Sequence, residues 1–479
     1  MKKVLFGLLG IILVLIAVVL VKTLTFESKQ FTVKASPAPD AAAEAITHFQ
    51  QAIRYQTISF GDSALFDSSQ FNGFHRFLQA TYPNVHQKMT MQKILGYSLL
   101  YKWEGKNPQE KPYILMAHQD VVPIEEASKQ LWTVDPFAGE VKENFIWGRG
   151  TTDDKINLIS IMEAAEKLIK EGFQPERTIY LAFGHDEEIG GKGAIATAAW
   201  FKANNITAEM VLDEGGIVTT DKVPGVTKPV ALIGNSEKGY MSVDLTVEKN
   251  GGHSSMPDAE TAIDILTRAI VKLRDSPFEP RFSEPVEGFV EMLGPEMTFT
   301  QKMAFANRWL FESMIYGIYE TSGSGNALIR TTLVPTIIHT GMKDNVVPTV
   351  AKATVNLRLL PGDVSTDVLA KMATIIDDER VKLTPAGPVS EASRVTPMDS
   401  KGYKKVEMTI KSSYPGVLSA PLLMIGATDS RHFTEVSTDI LKFSPMIDPI
   451  GFHGIDERVS LESYKTSLWF FENLMRNAN

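Results

Sequence analysis

Acidic and histidine residues recur through this chain in clusters separated by long stretches of sequence: His118 with Asp120, Asp153, Glu187 with Glu188, Asp213, and His453. Most stand where a predicted strand runs out. Tyr113-Ile-Leu-Met-Ala ends at His118-Gln-Asp120, Thr178-Ile-Tyr-Leu-Ala-Phe183 runs into Gly184-His-Asp-Glu-Glu188, and Met210-Val-Leu212 into Asp213-Glu-Gly-Gly216. Between the first two strands a helical stripe of Leu158, Ile161, Met162, Ala165, Leu168 and Ile169 follows Asp153 and Asp154 and stops at Gly172. Strands alternating with helices predict an α/β fold, a parallel sheet with helices on both faces. Its ligand crevice lies beyond the carboxyl ends of the strands. Such a sheet gathers the clusters into one cleft, where they would converge around metal.

What can occupy that cleft is narrowed by composition. With 44% hydrophobic and 22% charged residues over 479, the chain is ordinarily globular and long enough for more than one domain. A formal charge of −9 leaves no basic stripe to neutralise phosphates, so nucleic acid is not an expected partner. There is no cysteine, which excludes disulfides, thiolate metal sites and a cysteine nucleophile. Any metal must be held by imidazole and carboxylate.

Met1, Lys2 and Lys3 precede an uncharged run from Val4 to Val21. As a helix it would extend about 27 Å, close to the hydrocarbon thickness of a bilayer. Lys22-Thr-Leu-Thr-Phe follows where a cleaved signal peptide would carry a small-x-small site, so the run reads as an uncleaved anchor, with cleavage the alternative. The two lysines favour a cytoplasmic N-terminus and place the remainder outside the cytoplasm, in a periplasm or lumen. Residues 1–22 are thus assigned to a transmembrane anchor and 23–43, with Ser36-Pro-Ala-Pro, to a linker.

The periodicity changes near Lys238. Met241, Val243, Leu245 and Val247 alternate with Ser242, Asp244, Thr246 and Glu248, a half-exposed strand. A helix with Ala262, Ile263, Leu266, Ala269, Ile270 and Leu273 follows. Strands near 332–340 and 346–360, a helix near 365–377 and a strand near 380–384 complete a βαββαβ order, that of a ferredoxin-like lid domain inserted at 238–389. The first domain then comprises 44–237 and 390–479. Residues 276–330 interrupt the insertion with a helical segment. Its Met292, Met297, Met303, Phe305, Trp309, Phe311, Met314 and Tyr316 suit either an apolar groove or packing and a lid–lid interface.

A metal pair with oxygen and nitrogen donors needs a shared carboxylate, further His or carboxylate ligands, and an open place for water. Asp120, two residues from His118, could fix that ring's second nitrogen. Glu187 and Glu188 can divide their roles, one binding metal and the other taking a proton. His185 and His432 read as structural, and Asp154 as a cap for the helix it precedes.

The motifs together resemble the zinc aminoacylase and carboxypeptidase family, peptidase family M20. They are His118-Gln-Asp-Val-Val-Pro123, Trp132 with Asp135-Pro-Phe137, Trp147-Gly-Arg-Gly-Thr-Thr-Asp-Asp-Lys155, Asp186-Glu-Glu188, Leu212-Asp-Glu-Gly-Gly216, Gly252-His-Ser-Ser255 and His453-Gly-Ile-Asp-Glu-Arg458. Within the family they are most similar to the subgroup of the vacuolar Gly-X carboxypeptidase and the secreted N-fatty-acyl-amino-acid hydrolases. The resemblance implies two Zn2+ ions, for which Co2+ or Mn2+ could substitute. Asp153 would bridge them, with His118 and Asp213 on one ion and Glu188 and His453 on the other. By the same resemblance Glu187 is the general base, Asp120 orients His118, and Asn345 with Arg358 binds a substrate carboxylate. His253 stabilises an oxyanion, often across a homodimer through the lid. The implied activity is hydrolysis of an amide that releases an amino acid from a peptide or an N-acyl amino acid. A dipeptidase, or a catalytically silent binding protein, is the alternative.

Overall fold

The computed structural model describes residues 2–36 and 38–478. Met1 of the expected anchor, Pro37 of the expected linker and the terminal Asn479 lie outside the described residues.

A nine-stranded sheet forms the body. In spatial order its strands are Thr90–Ile94, Ser98–Trp103, Ile179–Gly184, Tyr113–His118, Met210–Asp213, Ile440–Lys442, Val230–Glu237 and Leu418–Met424, and Val218–Thr219 pairs with Val230–Glu237. From Ile179–Gly184 across to Ile440–Lys442 every pairing is parallel, as is that of Val230–Glu237 with Leu418–Met424. The other pairings are antiparallel, so the sheet is mixed but mostly parallel through its centre. The central strands are apolar throughout because both faces are covered. Leu115 and Leu181 enter the core under the Lys155–Lys170 and Leu461–Arg476 helices, whereas Ile114, Met116 and Tyr180 face Ala194, Ala198 and Phe201 of the Lys192–Ala203 helix. Each fully buried leucine contributes about 1.5–3 kcal/mol, which is what holds register at the strand ends.

A second, wholly antiparallel sheet has the order Thr332–Thr340, Val350–Leu359, Gly239–Glu248, Val381–Pro385. Helices Ala262–Asp275 and Ser365–Ile376 cover one face, giving the anticipated βαββαβ order and a separate core of Met241, Val243, Leu245, Val355, Leu266 and Met372, among others. Thr261 and Asp264 form a reciprocal capping box at the start of the first helix. Its buried stripe uses Ile265, and Ile263 of the expected stripe is exposed.

Residues 276–330 depart from expectation. Although their sequence lies inside the inserted segment, their first helix packs on the edge of the first sheet and the helices after it pack on one another and on the Lys2–Leu24 helix. Met292 and Leu293 of helix Glu284–Leu293 join Leu418 and Ala420 of the edge strand. Gly288 permits the approach, since a Cβ there would stand 2.8 Å from Pro421 Cγ. Met297, Phe305 and Met314 line a cavity of about 400 Å3, Met292 is buried and Trp309 is exposed.

The expected linker is irregular but not slack. Gln30 donates to the carbonyls of Ser419 at 2.8 Å and Met292 at 3.2 Å and accepts from Ser419 N, and the Ser36 carbonyl accepts from Trp469 Nε1. The Lys2–Leu24 helix is long and apolar enough to cross a membrane and is exposed along nearly all its length.

Candidate metal centre

His118 closes its strand and is buried. Its Nε2 lies 2.8 Å from Asp153 Oδ1 and 3.3 Å from Glu214 Oε1. Nδ1 faces Asp120, 3.0 Å from the carbonyl and 3.2 Å from Oδ1. The Asp120 carboxylate also accepts from the backbone N–H groups of Glu187 and Glu188, both at 3.2 Å. One carboxylate therefore sets the ring and the loop that carries the two glutamates. Burial raises the Asp120 proton affinity, but His118, together with hydrogen bonds from Ser59 and the Glu188 N–H, brings it below the usual carboxylate range.

Asp153 sits before the Lys155–Lys170 helix, in a loop shaped by a residue from the far end of the chain. Glu457 accepts from Gly150 N at 3.0 Å and Thr152 N at 2.8 Å, and pairs with Arg149 Nη1 at 2.6 Å. These contacts interlock the loop with the His453–Arg458 segment. His453 Nε2 reaches Asp153 Oδ2 at 2.6 Å and Glu188 Oε2 at 3.4 Å. Asp153 thus gives one oxygen to each of two triads, His118–Asp153–Glu214 and Asp153–Glu188–His453, whose donor atoms lie within 4.8 Å of one another in each.

The donor chemistry fits two cations. Burial raises the Asp153 proton affinity, but hydrogen bonds from His118 and His453 bring it well below the carboxylate range. The same contacts, with Asp153 ahead of Glu188, push His453 up to about 10. Each imidazole stands against the Asp153 carboxylate, where a cation would neutralise the same charge. Glu188 Oε1 is buried without a hydrogen-bond partner among the described residues.

Asp213 is a correction. Its Oδ2 accepts from Ser430 N at 2.8 Å, and the adjacent Glu214 takes the place beside His118. Alternation along Met210–Asp213 accounts for this: Met210 and Leu212 face the core beneath the Lys155–Lys170 helix, and Val211 faces the opposite side with Phe433. Asp213 shares the Val211 side and Glu214 turns towards Asp153. Gly216 then lets the chain run close beside the Val230–Glu237 strand, where a Cβ would be 1.9 Å from the Leu232 carbonyl oxygen. Asp154 is another correction, because it makes no side-chain cap. Its carboxyl accepts from Asn157 Nδ2 at 2.6 Å and, more weakly, from His118 N at 3.4 Å, and burial raises its proton affinity.

Sequence reading missed Glu214, Glu457 and Asp429. Asp429 is fully buried with both oxygens unpartnered among the described residues, and burial together with Asp213 and Asp120 raises its proton affinity. Glu187 is raised likewise, by burial and then by Asp429 and Glu188. His185 bonds Ser98 Oγ through Nδ1 at 2.7 Å, and His432 Nε2 accepts from Arg431 Nε at 3.2 Å.

The substrate-binding and oxyanion candidates divide between the two ends of the second sheet. His253 pairs with Val346 in a short exposed ribbon where Asn345 accepts from Ser254 N at 3.1 Å. Arg358 lies at the other end of Val350–Leu359, its guanidinium 5.0 Å from the Tyr240 ring. From Val350 to Arg358 the strand rises about 26 Å, so Asn345 and Arg358 do not meet within one chain. Burial lowers the Arg358 pKa, and neighbouring Arg431 lowers it further, so two cationic side chains adjoin there.

Residues 114–477 match Peptidase family M20/M25/M40. The chain belongs to the M20 peptidase family. Probable carboxypeptidase S-like 2 of Dictyostelium discoideum is 39% identical, covering 98% of this chain and 92% of its own. The N-fatty-acyl-amino acid synthase/hydrolase PM20D1 of Xenopus tropicalis is 37% identical, with 98% and 93% covered. Among solved structures, the M20 family metallo-carboxypeptidase Sso-CP2 of Sulfolobus solfataricus superposes with a TM-score of 0.64 at 17% identity, covering 91% of this chain and 99% of that one. Membership of the M20 family makes the protein a metallopeptidase-type hydrolase, consistent with triads of histidine and carboxylate at the strand ends.

Proposed function

We propose that this M20 protein is a membrane-anchored di-zinc hydrolase that cleaves an amide to release an amino acid, as a carboxypeptidase or N-acyl-amino-acid hydrolase. The carrying observation is the division of Asp153 between two triads, one oxygen to each. His118, Asp153 and Glu214 would hold one ion and Asp153, Glu188 and His453 the other. Cobalt or manganese fits such donors as well as zinc. When bound, the pair supplies an acidified water and polarisation of the carbonyl.

The protein's own groups complete the chemistry. Asp120 keeps His118 oriented, and Glu187, whose buried acidic surroundings raise its proton affinity, takes the water's proton and returns it to the leaving nitrogen. Arg358 grips the carboxylate of the departing amino acid, with Arg431 adding positive potential. His253 stabilises the oxyanion. Since His253 and Asn345 stand at the tip remote from Arg358, both would come from a second copy's lid. The edge strand Thr332–Thr340, with exposed Val334, Ile337 and Ile338, offers a surface for that dimer. The Lys2–Leu24 helix would span the membrane with its N-terminus cytoplasmic and the catalytic body outside.

The test is full-length protein with zinc, assayed for released amino groups on short dipeptides and long-chain N-acyl amino acids, each with a free and an amidated carboxylate. Hydrolysis confined to free carboxylates is expected, and acyl length chooses between the two activities. No turnover of any pair with both metals bound would overturn the reading.

A further inference from the structure

The helix Arg308–Tyr319 carries an apolar face that is largely exposed among the described residues. Trp309, Leu310, Ser313, Met314, Gly317 and Ile318 form one exposed, uncharged face, spaced as adjacent i, i+4 rows, with exposed Glu312 on its flank. Trp309 is 55% exposed and Ile318 61%. The opposite side is fixed inward by buried Ile315 and by Tyr316 and Tyr319, whose rings pack on Phe282. An uncharged face that exposes Trp309, Leu310, Met314 and Ile318 on a helix packed from its other side marks an interaction surface.

Its position relative to the Lys2–Leu24 helix identifies the partner. Buried Asn307, at the N-terminus of the exposed helix, donates to the Val19 carbonyl at 3.1 Å and to Thr23 Oγ1 at 3.2 Å. Lys22 Nζ stands 5.5 Å from the centre of the Trp309 ring. Val19 belongs to the uncharged run and Lys22 is the first charge after it. Trp309 is therefore held at the height where hydrocarbon would give way to headgroups, the zone that tryptophan favours. The segment after the helix is tied to the body at three points. Phe26 packs against Gly294, Lys29 pairs with Glu291, and Gln30 is tied to Met292 and Ser419.

We propose that the outward face of the Arg308–Tyr319 helix is a second membrane contact, seated in the lipid interface beside the anchor, so that two elements fix how the catalytic body meets the bilayer. This rests on the reading of Lys2–Leu24 as a membrane span. An amphipathic helix binds in the interface plane through its buried apolar face, and here the anchor brings that face to lipid without a separate encounter. Met314 and Ile318 also wall the cavity of about 400 Å3, which is thereby brought against lipid.

Because the chain has no cysteine, a nitroxide can be placed at single introduced cysteines of the full-length protein in phosphatidylcholine liposomes. Met314→Cys reports the proposed face, Val14→Cys the anchor, and Met342→Cys, in a fully exposed loop of the second sheet, the water phase. Ile318→Cys, one turn on, gives the same reading if Met314→Cys does not fold. Collision with lipid-soluble oxygen should exceed collision with a water-soluble nickel chelate at Val14 and Met314, with a ratio several-fold above that at Met342. A lipid-like Val14 with a water-like Met314 overturns the second contact and leaves the anchor. A Met314 label shielded from both probes means that protein, such as a second copy, covers the face, and also overturns it. A water-like Val14 removes the anchor and the proposal together.

Discussion

Glu457 accepts from both the backbone N–H and the hydroxyl of Thr152, at 2.8 and 2.9 Å, across 305 residues of sequence. With its buried ion pair to Arg149, this carboxylate places Asp153 and His453 against each other. Its removal would strand a buried guanidinium. Glu457→Ala is expected to cost about 3–5 kcal/mol of stability and to lower metal occupancy, read by chemical denaturation and metal analysis. Unchanged stability and occupancy would show that the two segments hold their places without it.

The exchange of Asp213 for Glu214 separates two ligand sets that differ by one residue. Glu214→Gln should reduce bound metal, whereas Asp213→Asn should retain it, since the Asp213 carboxylate serves Ser430 N. Metal content after equilibration at a fixed free-zinc concentration decides between them, and the opposite pattern would restore Asp213 as the ligand.

Glu187 is proposed to move a proton rather than bind metal. Glu187→Gln should keep the metal content of the parent while turnover falls about 10²–10⁴-fold, the scale of a positioned base. Loss of metal in parallel with activity would make it a ligand instead.

Arg358→Ala should raise KM for substrates with a free carboxylate and leave the matching amides nearly unaffected. Burial of Arg358 beside Arg431 makes an anion the group that this position would welcome. An equal loss on acids and amides would remove the carboxylate-binding role.

His75 adds a pH dependence. Burial holds its ring down to about 4 despite the hydrogen bond with Gln119 at 2.7 Å, and Nδ1 has no partner among the described residues. Unfolded histidine titrates near 6.5, so between about 6.5 and 4 the unfolded chain binds the proton first. The stability associated with the neutral ring is complete above 6.5 and is lost as pH falls towards 4. Denaturation midpoints at pH 7.5 and 5 should differ less in His75→Gln than in the parent. An undiminished difference would assign the acid sensitivity to other groups.

Much of the architecture was legible because it rests on local signals. The apolar run before His118 and the runs ending at Gly184 and Asp213 are strands buried on both faces, and the 238–389 segment declares its second sheet through alternation at Met241–Glu248. Parallel order then places the carboxyl ends at one edge of the sheet, where His118 and Glu188 meet Asp153 and His453, although 300 residues separate those last two. Where polarity does not distinguish the two faces of a strand, its orientation is not written in the residues. Met210, Val211 and Leu212 are all apolar, so the strand carries no mark of which side Asp213 takes.

The sequence by itself therefore determined the three central strands of the first sheet, the βαββαβ order of the second, the apolar N-terminal helix and several of the residues that gather in the cleft, because hydrophobic periodicity and strand termination are short-range properties. Only the tertiary structure decided that Glu214 rather than Asp213 faces His118, that Asp154 serves Asn157 instead of a cap, that Glu457 clamps the loop before Asp153, and that the Glu284–Leu293 helix of the inserted segment packs on the first sheet. Each depends on a partner distant in sequence, whose position is set by the packing of the whole body rather than by the residues beside it.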